Sequence, residues 1–333
     1  MTDAPLISVI LPCRDRPALL ARALASVRAQ TWPAWEALVI DDASDPALRL
    51  PCDDPRLRLI RLARNLGPAD AREAGIAAAR GAWVALLDSD DVWDPDKLTR
   101  QMARMAAGPP RVLVSGARVH GHGGVRRRPS RASRPGERIG TFLFLANEFA
   151  QASGILAPIE AARTAGFGGL RQYEDHLFLI RAEAAGWPVE VWDARLHDQV
   201  DDALDRSGAR DDAGRARAFL AAAGPMLTPA ERMGFAMRCL GPSLAVQAPA
   251  RALALAAAGL AAGGPPGAAL RLAARVALGP GGYAGLRRRL AGLAGPGRGA
   301  GLGAGLNAGL GTGQGAGRAR VPKPHAGVKG GMP

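Results

Sequence analysis

The junction between the apolar run Trp83-Val84-Ala85-Leu86-Leu87 and the acidic tetrapeptide Asp88-Ser89-Asp90-Asp91 restricts this chain more than any other feature. A short, unbroken apolar run closed by turn residues marks a strand covered on both faces. Such a strand delivers three carboxylates to the mouth of a sheet. The same grammar occurs three times upstream. Residues 6–11 end in Pro12-Cys13-Arg14-Asp15-Arg16-Pro17, residues 37–40 stop at Asp41-Asp42-Ala43-Ser44-Asp45, and residues 57–62 lead to Asn65-Leu66-Gly67-Pro68. Between them, Leu20, Leu24 and Val27 share a helical face, and residues 69–79 form a second helix. Strands alternating with helices imply an α/β fold with a Rossmann-like, mostly parallel sheet flanked by helices. Ligands of such sheets bind beyond the carboxyl ends of the strands, so Asp15, Asp41-Asp42 and the Asp88, Asp90, Asp91 group are expected in one crevice.

Downstream, Asp94 suits an N-cap and Pro95 a first helical position, and residues 112–114 supply a strand. Residues 116–138, rich in Gly, Arg and Pro, read as a flexible excursion that shapes an acceptor pocket. A strand over 153–156 precedes a helix over 159–164. The string Gly166-Phe167-Gly168-Gly169-Leu170-Arg171-Gln172-Tyr173-Glu174-Asp175 then opens a helix carrying Leu177, Leu179, Ile180 and Ala184, and 188–192 reads as an edge or late strand that tolerates an initial proline. After residue 201 come alanine-rich helical stretches broken at Gly224-Pro225, Gly241-Pro242 and Gly279-Pro280. Beyond residue 295 the chain is nearly all Gly, Ala, Leu and Arg, cannot bury a core and is expected to be disordered.

The formal charge of +13 is unevenly distributed: eleven Arg and Lys residues, and no Asp or Glu, lie from residue 241 onward, leaving +2 for everything before. That basic third suits peripheral contact with an anionic membrane, or a solvated extension, and no specific nucleic acid is expected. Three scattered cysteines, Cys13, Cys52 and Cys239, form neither a disulfide framework nor a zinc cluster and fit a reducing cytoplasm. No secretory signal and no continuous spanning helix is visible, so the expected place is the cytoplasm or the inner face of the plasma membrane.

The strings ISVILPCRDR, EALVIDDAS, RNLGPADAREAGIAAARGAWVALLDSDDVWDPDKL and AGFGGLRQYEDHLFLIRA, in this order over roughly residues 6–200, resemble the family 2 glycosyltransferases of the glycosyltransferase A fold. The resemblance implies an inverting transfer of a sugar from a nucleotide-diphosphate sugar, of which a UDP-sugar is the leading choice, to an acceptor hydroxyl. It implies a carbohydrate or lipid-linked acceptor in cell-surface polysaccharide or glycolipid assembly, and Mn²⁺ or Mg²⁺ as the cofactor. The implied organisation is a catalytic domain over 1–200, with a nucleotide half (1–115) and an acceptor half (116–200). A helical appendage (201–294) and a disordered tail (295–333) follow.

By the same resemblance, Pro12, Arg14, Asp15, Asp41, Asp42, Asn65, Arg72, Asp88 and Asp91 contact the nucleotide sugar, with Arg14 standing where the family usually has an aromatic residue. Asp90 is the direct metal contact, Asp88 a ribose or water-mediated one, and His197 completes the metal shell. Asp175 is the catalytic base and Glu174 its companion. Each residue type also has a plainer use: Asp41-Asp42 as a turn, Arg72 as a surface arginine, Glu174-Asp175 as acids at a helix N-terminus, His197 as a packing residue. A catalytically silent sugar-nucleotide-binding or scaffold protein, and a sugar-nucleotide nucleotidyltransferase, are the alternatives. The latter normally needs a glycine-rich, lysine-bearing loop that Pro12-Cys13-Arg14-Asp15 lacks.

Overall fold

The computed structural model describes residues 4–121, 124–200 and 213–293. Among them a nine-stranded sheet runs β3-β2-β1-β4-β8-β6-β9-β5, with β7 paired to β6. The strands are β1 Ile7–Cys13, β2 Trp35–Asp41, β3 Leu57–Arg61, β4 Trp83–Leu86, β5 Val92–Trp93, β6 Val112–Gly121, β7 Gly124–Arg128, β8 Ile155–Pro158 and β9 Val189–Val200. β3, β2, β1 and β4 are parallel, as their alternation with α1 (Pro17–Arg28) and α2 (Pro68–Ala78) requires. From β8 onward the sheet is mixed: β8 runs antiparallel to β4 and β6, and β9 lies parallel to β6.

Strand periodicity divides the core between the two faces of the sheet. Ile7, Val9 and Leu11 join Leu20, Leu24, Val27 of α1 and Leu98, Met102 of α3 (Lys97–Ala106). Ile10, Leu38 and Ile40 point the other way, toward Ile76 of α2, Ala161 and Ala162 of α4 (Ile159–Ala165), and Leu177 and Ile180 of α5 (Glu174–Ala184). Both faces are covered, which is why the strand sequences read as continuous apolar runs.

Two sequence expectations change. α3 begins at Lys97, after Asp96, because Asp94 does not cap it: its carboxylate is held by Arg118 at 2.5 and 3.0 Å. Of the stretch read as a flexible excursion, residues 116–121 belong to β6 and 124–128 to β7, which pair with each other, and β6 also pairs with β9 as far as His120. Its glycine and arginine content hid partners that lie on both sides of it. Residues 189–192 open β9, the last strand, and pair there with β6; further along, His197 and Asp198 also pair with β5.

The helices α6 (Ala213–Ala223), α7 (Pro229–Cys239), α8 (Gly241–Gln247), α9 (Pro249–Ala261) and α10 (Pro266–Leu293) follow. α10 is kinked at Gly279, φ 63°, ahead of Pro280. Ala216, Phe219, Ala223, Leu227 and Phe235 belong to the same core cluster as α5, whereas Met237, Ala245, Ala252, Ala256 and Leu272 form a smaller cluster of their own. The expected tail, 295–333, lies outside the described residues.

Candidate active site

The acidic loop leaves β4 at the carboxyl end of the parallel strands. Carboxylate oxygens of Asp88, Asp90 and Asp91 lie within 4.8 Å of one another. Asp91 is 1% exposed and accepts from Gln151 Nε2 at 2.8 Å and Ser153 Oγ at 2.6 Å. The same Ser153 oxygen accepts the Asp88 amide at 3.0 Å, so one hydroxyl fixes two of the three acids. Arg16 reaches Asp90 Oδ2 at 3.1 Å, and Arg22 donates to the Asp90 carbonyl at 2.7 Å. Burial, then the charges of Asp88 and Asp90, push the Asp91 carboxyl well above its ordinary range despite the bonds from Ser153 and Gln151. An all-oxygen donor set of three clustered carboxylates fits a hard divalent cation.

Arg72, on α2, joins this loop to the second motif. It is buried, donating Nη2 to Asp88 Oδ1 at 2.5 Å and Nη1 to Glu174 Oε1 at 2.9 Å, with its guanidinium 5.4 Å from the Phe167 ring centre. Read as a phosphate contact or a surface arginine, it is buried, and its fork is engaged by two carboxylates, a task that suits its planar geometry. Burial raises the Glu174 carboxyl, Arg72 opposes that, and the neighbouring Asp175 adds to it; the net shift is upward. The adjacent Glu73 accepts the amides of Phe167 and Gly168 at 2.7 and 3.1 Å, holding the loop before α5. That loop needs its glycines, since Gly166, Gly168 and Gly169 all have positive φ and a Cβ on Gly168 would meet Arg181 at 2.7 Å. Asp175, in the first turn of α5, accepts the His176 amide at 2.8 Å.

The nucleotide-side candidates are placed differently. Asp42 accepts the amides of Leu66 and Gly67 at 2.7 and 2.9 Å, and so clamps the loop ahead of α2. Asp41, fully buried, accepts from Ser44, Leu48 and Arg61; burial opposes its ionisation, but these bonds hold its pKa below the usual carboxylate value. Both carboxylates are engaged by the chain itself. Asp15 is exposed, with φ 54°, ties the Asp45 amide at 2.9 Å and pairs with Arg14 at 3.1 Å. Pro12 is half-buried opposite Ile40, and the half-buried Asn65 accepts Arg171 on its carbonyl at 3.5 Å.

His197 lies in β9 opposite Trp93, fully buried. It is not among the clustered acids. Its Nε2 is 3.2 Å from Gln151 Oε1, and because the Gln151 amide nitrogen faces Asp91, the histidine is the donor. Burial, with Lys97 and Arg118 as positive neighbours, pushes its pKa down to about 3. It therefore reaches the cluster one residue removed, through Gln151. Gln151, Ser153, Glu73 and Arg16 were not foreseen: no spacing rule marks them, since they arrive from β8's approach, α2 and the start of α1.

The profile described as "Glycosyl transferase family 2" matches residues 8–164. Among curated relatives, the succinoglycan biosynthesis protein ExoO of Rhizobium meliloti is 42% identical over 113 residues, 33% of this chain and 32% of ExoO. The glucosyltransferase WfgD of Escherichia coli, named for UDP-Glc and α-D-GlcNAc-diphosphoundecaprenol, is 36% identical over 31% of this chain and 42% of its own. The matches thus span about a third to two fifths of these relatives. In three dimensions the chain is similar to S. aureus TarS 1-349 in complex with UDP-GlcNAc, with a TM-score of 0.54 at 17% identity over 82% of this chain and 92% of that one. The fold is the glycosyltransferase A fold.

Proposed function

We propose that this chain is a glycosyltransferase that moves a sugar from a nucleotide-diphosphate donor, of the UDP-sugar class, to an acceptor hydroxyl in cell-surface glycan assembly, with inversion at the anomeric carbon. The observation that carries the reading is the Arg72 bridge: one guanidinium touches both Asp88 of the acidic loop and Glu174 beside Asp175, so the two motifs border one site. The donor class is supported by the UDP-GlcNAc complex of TarS and the UDP-Glc in WfgD's name, and a polysaccharide or lipid-linked acceptor by the names of ExoO and WfgD.

In this reading Asp90 and Asp88, backed by Asp91, hold a Mn²⁺ or Mg²⁺ ion. That ion would supply Lewis-acid neutralisation of charge on the departing diphosphate. Asp175 takes the proton of the acceptor hydroxyl as its oxygen attacks the anomeric carbon from the face opposite the diphosphate. Glu174, held by Arg72, keeps the first turn of α5 in place. Pro12, Arg14, Asp15 and Asn65 border the nucleotide side, while Asp41, Asp42 and Arg72 support it from behind. The catalytic elements lie within 1–200, with α6 and α7 packed into the same core.

Asp175→Asn tests the assignment. A general base contributes about 10²- to 10⁴-fold, so transfer should fall by that factor, while the thermal upshift caused by UDP-sugar with Mn²⁺ persists because binding to the folded state is retained. Undiminished transfer by the variant removes the role of Asp175. A wild-type protein that shows no response to any nucleotide sugar, with or without Mn²⁺, removes the donor reading.

A further inference from the structure

Lys97, the first residue of α3, is fully buried, and none of the steps proposed above uses it. Its Nζ donates to Gln101 Oε1, one turn along the helix, at 2.6 Å and lies 4.1 Å from the centre of the Trp93 ring. Burial pushes the pKa of this amine well down. A buried amine held in this way costs stability relative to an apolar chain of similar volume. Its use lies in what its two partners hold.

Both partners reach the same short turn, residues 152–154, ahead of β8. Gln101 Nε2 donates to the Gly154 carbonyl at 2.8 Å, and Trp93 Nε1 donates to the Ser153 carbonyl at 3.0 Å. On that turn the Ser153 hydroxyl donates to Asp91 at 2.6 Å and accepts the Asp88 amide at 3.0 Å. The turn has little room to shift, since a Cβ on Gly154 would collide with the Ser115 carbonyl. A lysine has donors and no acceptor, so it can face only the oxygen of the Gln101 amide. The amide nitrogen is thereby turned toward Gly154. Without the amine, the same side chain is free to flip and set oxygen against oxygen there. We infer that Lys97 is a positioning residue for the acidic loop, fixing through Gln101 and Trp93 the turn whose Ser153 hydroxyl orients Asp88 and Asp91 for the cation. The inference rests on the reading that these acids hold Mn²⁺ or Mg²⁺.

Lys97→Met keeps the bulk of the side chain and removes its donors. The full chain is titrated with Mn²⁺ in the presence of UDP, with free ion read by electron paramagnetic resonance. The variant should bind Mn²⁺ about 10- to 100-fold more weakly than the wild type, the range typical of partners that orient ligating groups. A lysine that only fills the core would shift the melting temperature and leave this affinity alone. Because the effect runs through one hydroxyl, Lys97→Met should add little to the loss already caused by Ser153→Ala. Gln101→Glu serves if Lys97→Met does not fold: it keeps an acceptor for Lys97, loses the donor to Gly154, and should weaken Mn²⁺ binding in the same direction. Wild-type affinity in the folded variant, or a loss that adds in full to that of Ser153→Ala, overturns the inference while the cation reading stands. A wild type that binds no Mn²⁺ overturns both.

Discussion

Ser153 shows how much of the acidic loop is decided by one side chain. Its hydroxyl donates to Asp91 and accepts from the Asp88 amide, while its carbonyl accepts the Trp93 indole N–H at 3.0 Å. Removing the hydroxyl leaves a crowded, buried carboxylate with Gln151 as its remaining side-chain donor and a backbone amide without its acceptor. Partners that orient ligating groups typically govern about 10- to 100-fold in metal affinity. Ser153→Ala should therefore weaken Mn²⁺ binding, measured by titration of the purified protein, by about that factor, with a stability loss of about 1–3 kcal/mol in urea. Unchanged Mn²⁺ affinity would remove Ser153 from the site's support. Arg72, between Asp88 and Glu174, shows the same economy: a residue read as a surface arginine or a phosphate ligand is a buried strut between two motifs.

At the level of elements, α2 positions the site more than any single strand. It carries Arg72 to one motif and Glu73 to the loop of the other, and it must therefore lie close on β1. Gly75 permits that approach: a Cβ there would collide with Ile10 and come within 3.3 Å of Ile40. Gly75→Ala should displace the helix, costing about 1–3 kcal/mol as overpacking usually does and lowering turnover, read by urea unfolding and by transfer assays on the same samples. A gain in stability, as alanine's higher helix propensity alone would give, would show that the contact is relaxed without cost. β6 teaches the complementary lesson. Its glycines and arginines read as an irregular excursion, yet hydrogen bonding to β7 on one side and β9 on the other organises them as strand.

Across the whole molecule, the C-terminal helices are part of the frame that holds α5. Phe219 of α6 and Phe235 of α7 pack edge-on against Tyr173 and Phe144, the first of these adjoining Glu174. Glu231 of α7, fully buried, accepts from Arg138, Thr141 and the Thr228 amide and pins the helices to the segment before β8. Tyr173 itself has φ 63°, a strained conformation for a residue with a Cβ, sustained by this packing. Phe219→Ala should cost about 3–5 kcal/mol as a core cavity and should also reduce transfer at temperatures where the protein remains folded, because Tyr173 and the first turn of α5 lose their backing. Full transfer activity in a destabilised variant would show that the helices add stability alone.

The sequence by itself determined the parallel half of the sheet, the acidic loop and the start of α5. Each is a local pattern: unbroken apolar runs, turn residues at strand ends, acids opening an apolar-periodic helix. The Gly-Pro pairs likewise marked real breaks, at the start of α8 and at the kink in α10. Only the tertiary structure decided that Asp41, Asp42 and Arg72 are occupied by partners from elsewhere in the chain, that His197 meets the acids through Gln151, and that α6 and α7 share a core with α5. Those outcomes depend mainly on contacts between residues 16 to 102 positions apart. No period or spacing records them, because which donor satisfies a buried carboxylate is fixed by how the elements pack and not by the residues beside it.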